Sequence, residues 1–89
     1  MRQDHFKLVR NKYNPEDLKP GELYYAEEFG SALHLCACGC GITVSTPIDS
    51  KWWSLLEEEN GPTLHPSIGN FQFPCRSHYM ITNGAVRWF

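Results

Sequence analysis

The sequence predicts a mostly β fold, and three observations carry that expectation. No window places apolar residues at helical spacing over ten or more positions. Ile42 to Thr46 (ITVST) is β-branched at four of its five positions, which favours a pleated strand. Near the end of the sequence two short alternating runs flank Asn83-Gly84, the pair that a type I′ hairpin turn prefers.

Taken in order, Phe6, Leu8 and Val9 predict an edge strand, followed by a loop through the charged, proline-bearing stretch that ends at Pro20. Residues 1–20 are expected to form a peripheral N-terminal segment. After the turn signal Pro20-Gly21, Glu22 to Phe29 carries Leu23, Tyr24, Tyr25 and Phe29 and stops at Gly30, a strand pattern. Ala32 to Leu35 leads into three cysteines, and Ile42 to Thr46 leads away until Pro47 ends the strand. Trp52 to Leu56 is an apolar run closed by Glu57-Glu58-Glu59 and the turn Asn60-Gly61, compatible with a short helical turn. Thr63 and Leu64 are extended, His65 to Asn70 reads as a polar loop, and Phe71 and Phe73 alternate towards Pro74. The final hairpin pairs His78 to Thr82 with Ala85 to Trp88. Trp52, Trp53, Phe71, Phe73, Tyr79 and Trp88 are expected in the core, since no basic residues interleave with them as on a base-stacking platform.

At 89 residues the chain predicts one domain, 1–89, because a second core would have too little apolar surface. Eight basic residues against ten acidic give a formal charge of -2, and no stretch gathers the basic ones, which argues against a nucleic-acid partner. No apolar run is long enough for a membrane span, and the N-terminus lacks the apolar middle region of a signal peptide. The expectation is a cytoplasmic protein with no membrane partner. In a reducing compartment, four cysteines are metal ligands or reactive thiols before they are disulfides.

Cys36-Ala37-Cys38-Gly39-Cys40-Gly41 sets three thiols within five residues, with glycines where the backbone must fold back. Cys75 follows 35 residues after Cys40, just before the final hairpin. Four soft ligands in two groups joined by a long loop suit a tetrahedral zinc site with a structural role, a staple for a small antiparallel β domain. His78 lies three residues past Cys75, so three cysteines and one histidine form an alternative ligand set. Buried free cysteines would not need flanking glycines, and a redox pair would call for Cys-x-x-Cys spacing.

His65-Pro66-Ser67-Ile68-Gly69-Asn70 is rich in turn formers yet set between apolar runs, as functional loops often are. Ser67 is a nucleophile if a base lies within hydrogen-bond reach, and the candidate bases are His65 and His78. The plainer reading makes Ser67 a turn residue, Asn70 an Asx-turn former and His78 a zinc ligand or strand residue. His5 and His34 read as surface residues or as neighbours of a ligand. Asp49 and Asn70 are possible orienters of a catalytic base, and nothing in the spacing chooses between them.

The ordered set of Leu35 to Gly41 (LCACGCG), Trp52 or Trp53 followed by Ser54-Leu55, His65 to Asn70 (HPSIGN), Cys75 to Tyr79 (CRSHY) and Val86-Arg87-Trp88 resembles a small bacterial family long catalogued as a domain of unknown function. Its members are encoded beside genes for a ubiquitin-like modifier and its activating and conjugating enzymes in antiphage operons. The resemblance runs from about Leu33 to Trp88, and the N-terminal third matches loosely. It implies a zinc-stabilised serine-type peptidase that processes components of that pathway. Carried over by position, Ser67 is the nucleophile, His78 the general base, and Cys36, Cys38, Cys40 and Cys75 the metal ligands. The modifier and its activating or conjugating enzymes are the implied protein substrates. One departure is Ala37, where the family usually has proline, which would loosen the metal turn without removing a ligand. Two other functions fit the residues: a zinc-dependent hydrolase with Glu57, Glu58 or Glu59 as base, and a non-catalytic zinc module that binds a ubiquitin-like protein or a conjugating enzyme.

Overall fold

The computed structural model describes residues 2–10 and 18–89. Among these the chain forms β1 (Lys7–Arg10), β2 (Glu22–Ala26), a 3₁₀ turn (Glu27–Phe29), β3 (Ser31–Leu35), β4 (Thr43–Pro47), β5 (Ser54–Glu58), β6 (Gly61–Gly69), β7 (His78–Thr82) and β8 (Ala85–Trp88). They assemble into two four-stranded sheets, ordered β1-β2-β3-β4 and β5-β6-β7-β8. All pairings are antiparallel except β1 with β2. The mostly β fold with a C-terminal hairpin is therefore what forms. No helix among the described residues is long and apolar enough to cross a membrane.

Period-two alternation builds the core. Ala32 and His34 on β3, Val44 and Thr46 on β4, and Tyr79 and Ile81 on β7 turn inward while their neighbours face out. Phe6, Leu23, Leu64 and Ile68 complete one apolar cluster shared by both sheets. Burying a side chain of this size contributes about 2 kcal/mol. Phe6, from the N-terminal segment, is fully buried, because the main chain on either side of it is tied to the final hairpin: its N–H donates to Gly84 O at 2.7 Å, and the Val86 N–H donates to Asp4 O at 2.9 Å. The hairpin turn has φ 49° at Asn83 and 83° at Gly84, as a type I′ turn requires. The loop expected after β1 falls at 11–17, outside the described residues.

Three elements differ from their sequence-based expectations. β2 ends at Ala26, three residues early, and Glu27–Phe29 winds into the 3₁₀ turn, closed when the Gly30 N–H meets Glu27 O at 3.2 Å. The Trp52–Glu59 stretch is not helical: Ser54–Glu58 forms an outer strand paired residue by residue with Gly61–His65. Its acidic residues sit where an edge strand is protected by charge. His65–Asn70 is not a free loop either, for β6 runs on to Gly69, with a register shift against β7 between Leu64 and Ile68. Hydrogen bonds to a partner strand outweigh the local turn preferences of Pro66 and Gly69. Of the aromatic residues expected in the core, Tyr79 is buried, Trp53, Phe73 and Trp88 are half-buried, and Trp52 and Phe71 are exposed.

His34 is a core residue rather than a surface one. Its Nε2 lies 2.7 Å from the Tyr79 hydroxyl, and Nδ1 has no hydrogen-bond partner among the described residues. Burial lowers its pKa to about 4, which keeps the ring neutral. The Tyr79 hydroxyl also accepts the Ala37 N–H at 3.3 Å.

Candidate active site and metal centre

Ser67 and His78 meet because of the strand register. Gly69 is paired with His78 across β6 and β7, and Ser67, two residues before Gly69, shares its face. The diagonal brings His78 Nε2 to 3.1 Å from Ser67 Oγ, a hydrogen bond between two half-buried side chains. Gly69 matters here for its missing side chain: a Cβ would stand 2.6 Å from the Phe71 ring. That ring packs edge-on against the imidazole with centroids 5.2 Å apart, and the Phe89 ring lies 4.7 Å away on a tilt. The imidazole is thus held between two exposed aromatic residues. No side chain among the described residues is hydrogen-bonded to His78 Nδ1. Neither sequence-named orienter stands there, since Asp49 Oδ1 accepts from the Lys51 N–H in an exposed turn and Asn70 faces the cysteines. His65, the other candidate base, is exposed.

The β3–β4 turn gathers three cysteines, and Cys75 joins them from the segment before β7. Positive φ at Gly39 (90°) and Gly41 (84°) lets the chain double back, and the Cys36 N–H closes the turn on Ile42 O at 2.8 Å. The four Sγ atoms all lie within 4.8 Å of one another, with Cys36–Cys38 at 3.4 Å, Cys36–Cys75 at 3.9 Å and Cys40–Cys75 at 3.8 Å. A tetrahedron of sulfurs at the zinc–thiolate distance has edges of about 3.8 Å, so these residues fit a metal ion of that class. His78 is not in the group, because its Nε2 is turned to Ser67.

Electrostatics favour a cation among these thiols. Hydrogen bonds from the Ser77 side chain and backbone draw the Cys75 thiol down to about 6. Loss of water and contacts with Cys40 and Cys36 push the Cys38 thiol up to about 12. One thiolate forms readily and a second one beside it is resisted, a conflict that a bound cation removes. Ala37 is fully buried in this turn, pinned by the Gln3 N–H on its carbonyl at 2.7 Å and by its own N–H to Tyr79. A proline there would forgo the second bond, so the departure at Ala37 gains an anchor.

A model of the family described as "Bacterial ubiquitination-like system serine protease (BubE)" matches residues 10–89. The chain belongs to this family. No curated protein and no solved structure matches it. The BubE match spans both clusters, the serine–histidine pair and the four cysteines, and the family's place in a ubiquitination-like system implies ubiquitin-like protein partners.

Sequence reasoning overlooked the part that two residues play beside the four cysteines. Ser77 Oγ lies 3.0 Å from Cys36 Sγ and 3.5 Å from Cys75 Sγ, and Asn70 Nδ2 donates to Ser77 Oγ at 3.0 Å and to Cys36 Sγ at 3.6 Å. Both side chains are buried. The available signal was a hydroxyl two residues past a candidate ligand, the position from which a side chain reaches its sulfur. Groups of this kind fix the ligand and share its charge. Ser77→Ala is expected to weaken metal binding by roughly ten- to a hundredfold in competition with a chromogenic chelator. Unchanged affinity would remove Ser77 from the ligand support.

Proposed function

We propose that the chain is a serine peptidase that cleaves protein components of a bacterial ubiquitin-like conjugation pathway, the modifier itself or its activating or conjugating enzyme. Ser67 is the nucleophile and His78 the general base, and Cys36, Cys38, Cys40 and Cys75 hold a structural zinc ion. The observation that supports this reading is the 3.1 Å contact between His78 Nε2 and Ser67 Oγ, in a chain whose family is one of serine proteases.

In this scheme Ser67 Oγ attacks the scissile carbonyl and its proton passes to His78 Nε2. Collapse of the tetrahedral adduct expels the amine, which takes that proton. Water then gives a proton to the same nitrogen and attacks the acyl ester, and Ser67 is restored. For the oxyanion, the Gly69 N–H points away from β7, whereas the Ile68 N–H is used in the ladder with Tyr79. Bound zinc would supply structure and no step. Four thiolates complete a tetrahedral shell and leave no position for the water that a zinc-dependent hydrolase needs.

A fluorophosphonate probe tests the pair without knowledge of the substrate. The unsubstituted chain should be labelled at Ser67 on peptide mapping, and Ser67→Ala and His78→Ala should not. A label on another serine, or none, sinks the proposal and leaves a binding module as the better reading.

A further inference from the structure

β6 outruns its neighbour. β5 pairs with it from Gly61 to His65, and beyond that point, among the described residues, only β7 pairs with it, at Ile68 and Gly69. Successive residues of an antiparallel ladder turn their N–H and C=O groups to opposite sides. The Asn70 N–H reaches Ser77 O at 2.8 Å, so Ile68 and Asn70 bond towards β7. Across a trans peptide the C=O and the following N–H point opposite ways, so the Ser67 C=O and both main-chain groups of Gly69 face the side that β5 has vacated. Across from them runs β4, the last strand of its own sheet. The bonds from Cys36 N–H to Ile42 O and from Trp53 N–H to Pro47 O fix its alternation and turn the main chain of Thr43 and Ser45 outward.

A cavity of about 200 Å³ lies between the two open edges, walled by Val44, Ser45 and Thr46 on one side and Ile68, Gly69 and Asn70 on the other. Trp53 closes one end, its indole N–H bonded to Pro66 O at 3.1 Å. Among the described residues, no charged one lines this space.

We propose that the peptide to be cut docks as an added strand on the Ser67–Gly69 edge, with a small uncharged side chain beside the scissile bond entering the cavity against β4. The inference rests on the serine-peptidase reading for its place beside Ser67. Three features select this occupant. Unpaired main-chain donors and acceptors on a strand edge are satisfied by another extended chain. The edge is continuous with the nucleophile, because Ser67 contributes its own main chain to it. The cavity offers no counter-charge, so burying a charged side chain there would be costly.

The test uses an acetylated, amidated pentapeptide of alternating alanine and serine, titrated to about 10 mM into the isotope-labelled Ser67→Ala chain, since an exposed edge of this size binds weakly. Saturable shifts of the Gly69 and Ser45 amides are expected. Methylating the peptide nitrogens one at a time should weaken binding roughly three- to tenfold at every second position, where an edge hydrogen bond is lost. Ser45→Phe, which fills the cavity mouth, should weaken it at least as much, and lysine at the position beside Ser45 should abolish it. Absence of saturable shifts, shifts confined to another surface, or indifference to methylation at all positions would overturn the proposal. Methylated peptides need no further substitution in the protein, so the test stands even if Ser45→Phe fails to fold. Binding is read without cleavage, so it succeeds or fails separately from the labelling of Ser67.

Discussion

Ser67→Ala should lower kcat for the cognate protein substrate by about 10³-fold or more, while metal content and the unfolding transition stay those of the unsubstituted chain. The size follows from what the hydroxyl does. Without Oγ there is no acyl ester, and the remaining site offers only substrate positioning and the Gly69 N–H, which act on a water held in no particular place. His78→Ala should cost nearly as much, since residues that work as a unit lose most of their effect when either is removed. The pair differs from a three-residue relay in one respect: the imidazole is set between Phe71 and Phe89, with no carboxylate at Nδ1 among the described residues. Retained cleavage by Ser67→Ala would exclude this serine from the mechanism. Loss of metal in that variant would show that the two centres are not independent.

The parts of the molecule that were legible in the sequence are those specified within a few residues. Three thiols in Cys36–Cys40, with Gly39 between them and Gly41 after them, announce a tight turn that could hold a metal, and Asn83-Gly84 announces a hairpin, because ligand spacing and positive φ are local properties. The Ser67–His78 contact depends instead on a register shift between Leu64 and Ile68, which no local pattern encodes. The residues alone left Ser67 as a turn former or a nucleophile with His65 or His78 as its base, and family resemblance was needed to choose His78. The same limit explains the misreading of His65–Asn70 as a loop: Pro66 and Gly69 are turn signals, but β7 supplies the hydrogen bonds that make the segment a strand. Ser77 went unnamed and Asn70 was given other roles, because their place beside the cysteines lies in reaching a sulfur 41 and 34 residues away.

Removing the metal should unfold the chain rather than merely silence it. Structural zinc sites of four soft ligands bind with about 10–16 kcal/mol at neutral pH, comparable to the whole stability of a small domain. The cysteine knot joins the β3–β4 turn of one sheet to the lead-in of β7 in the other and packs on the apolar core the two sheets share. Cys75→Ser or a strong chelator should therefore lower the unfolding midpoint by at least about 15 °C, taking a loss near 4 kcal/mol and the shift per kcal/mol of a domain this size. Elemental analysis of the unsubstituted chain should give zinc near one per chain, and the variant should have lost it. Cys75 also lies three residues before His78, and Ser77, two residues past Cys75, accepts the Asn70 N–H on its carbonyl at 2.8 Å, just beyond the end of Ser67's own strand. Loosening the knot must disturb the register that sets Ser67 against His78. During a chelator titration, fluorophosphonate labelling of Ser67 should fall in step with the loss of folded chain seen by circular dichroism. Labelling that disappears while the fold persists would make the metal a participant in the reaction and not a staple.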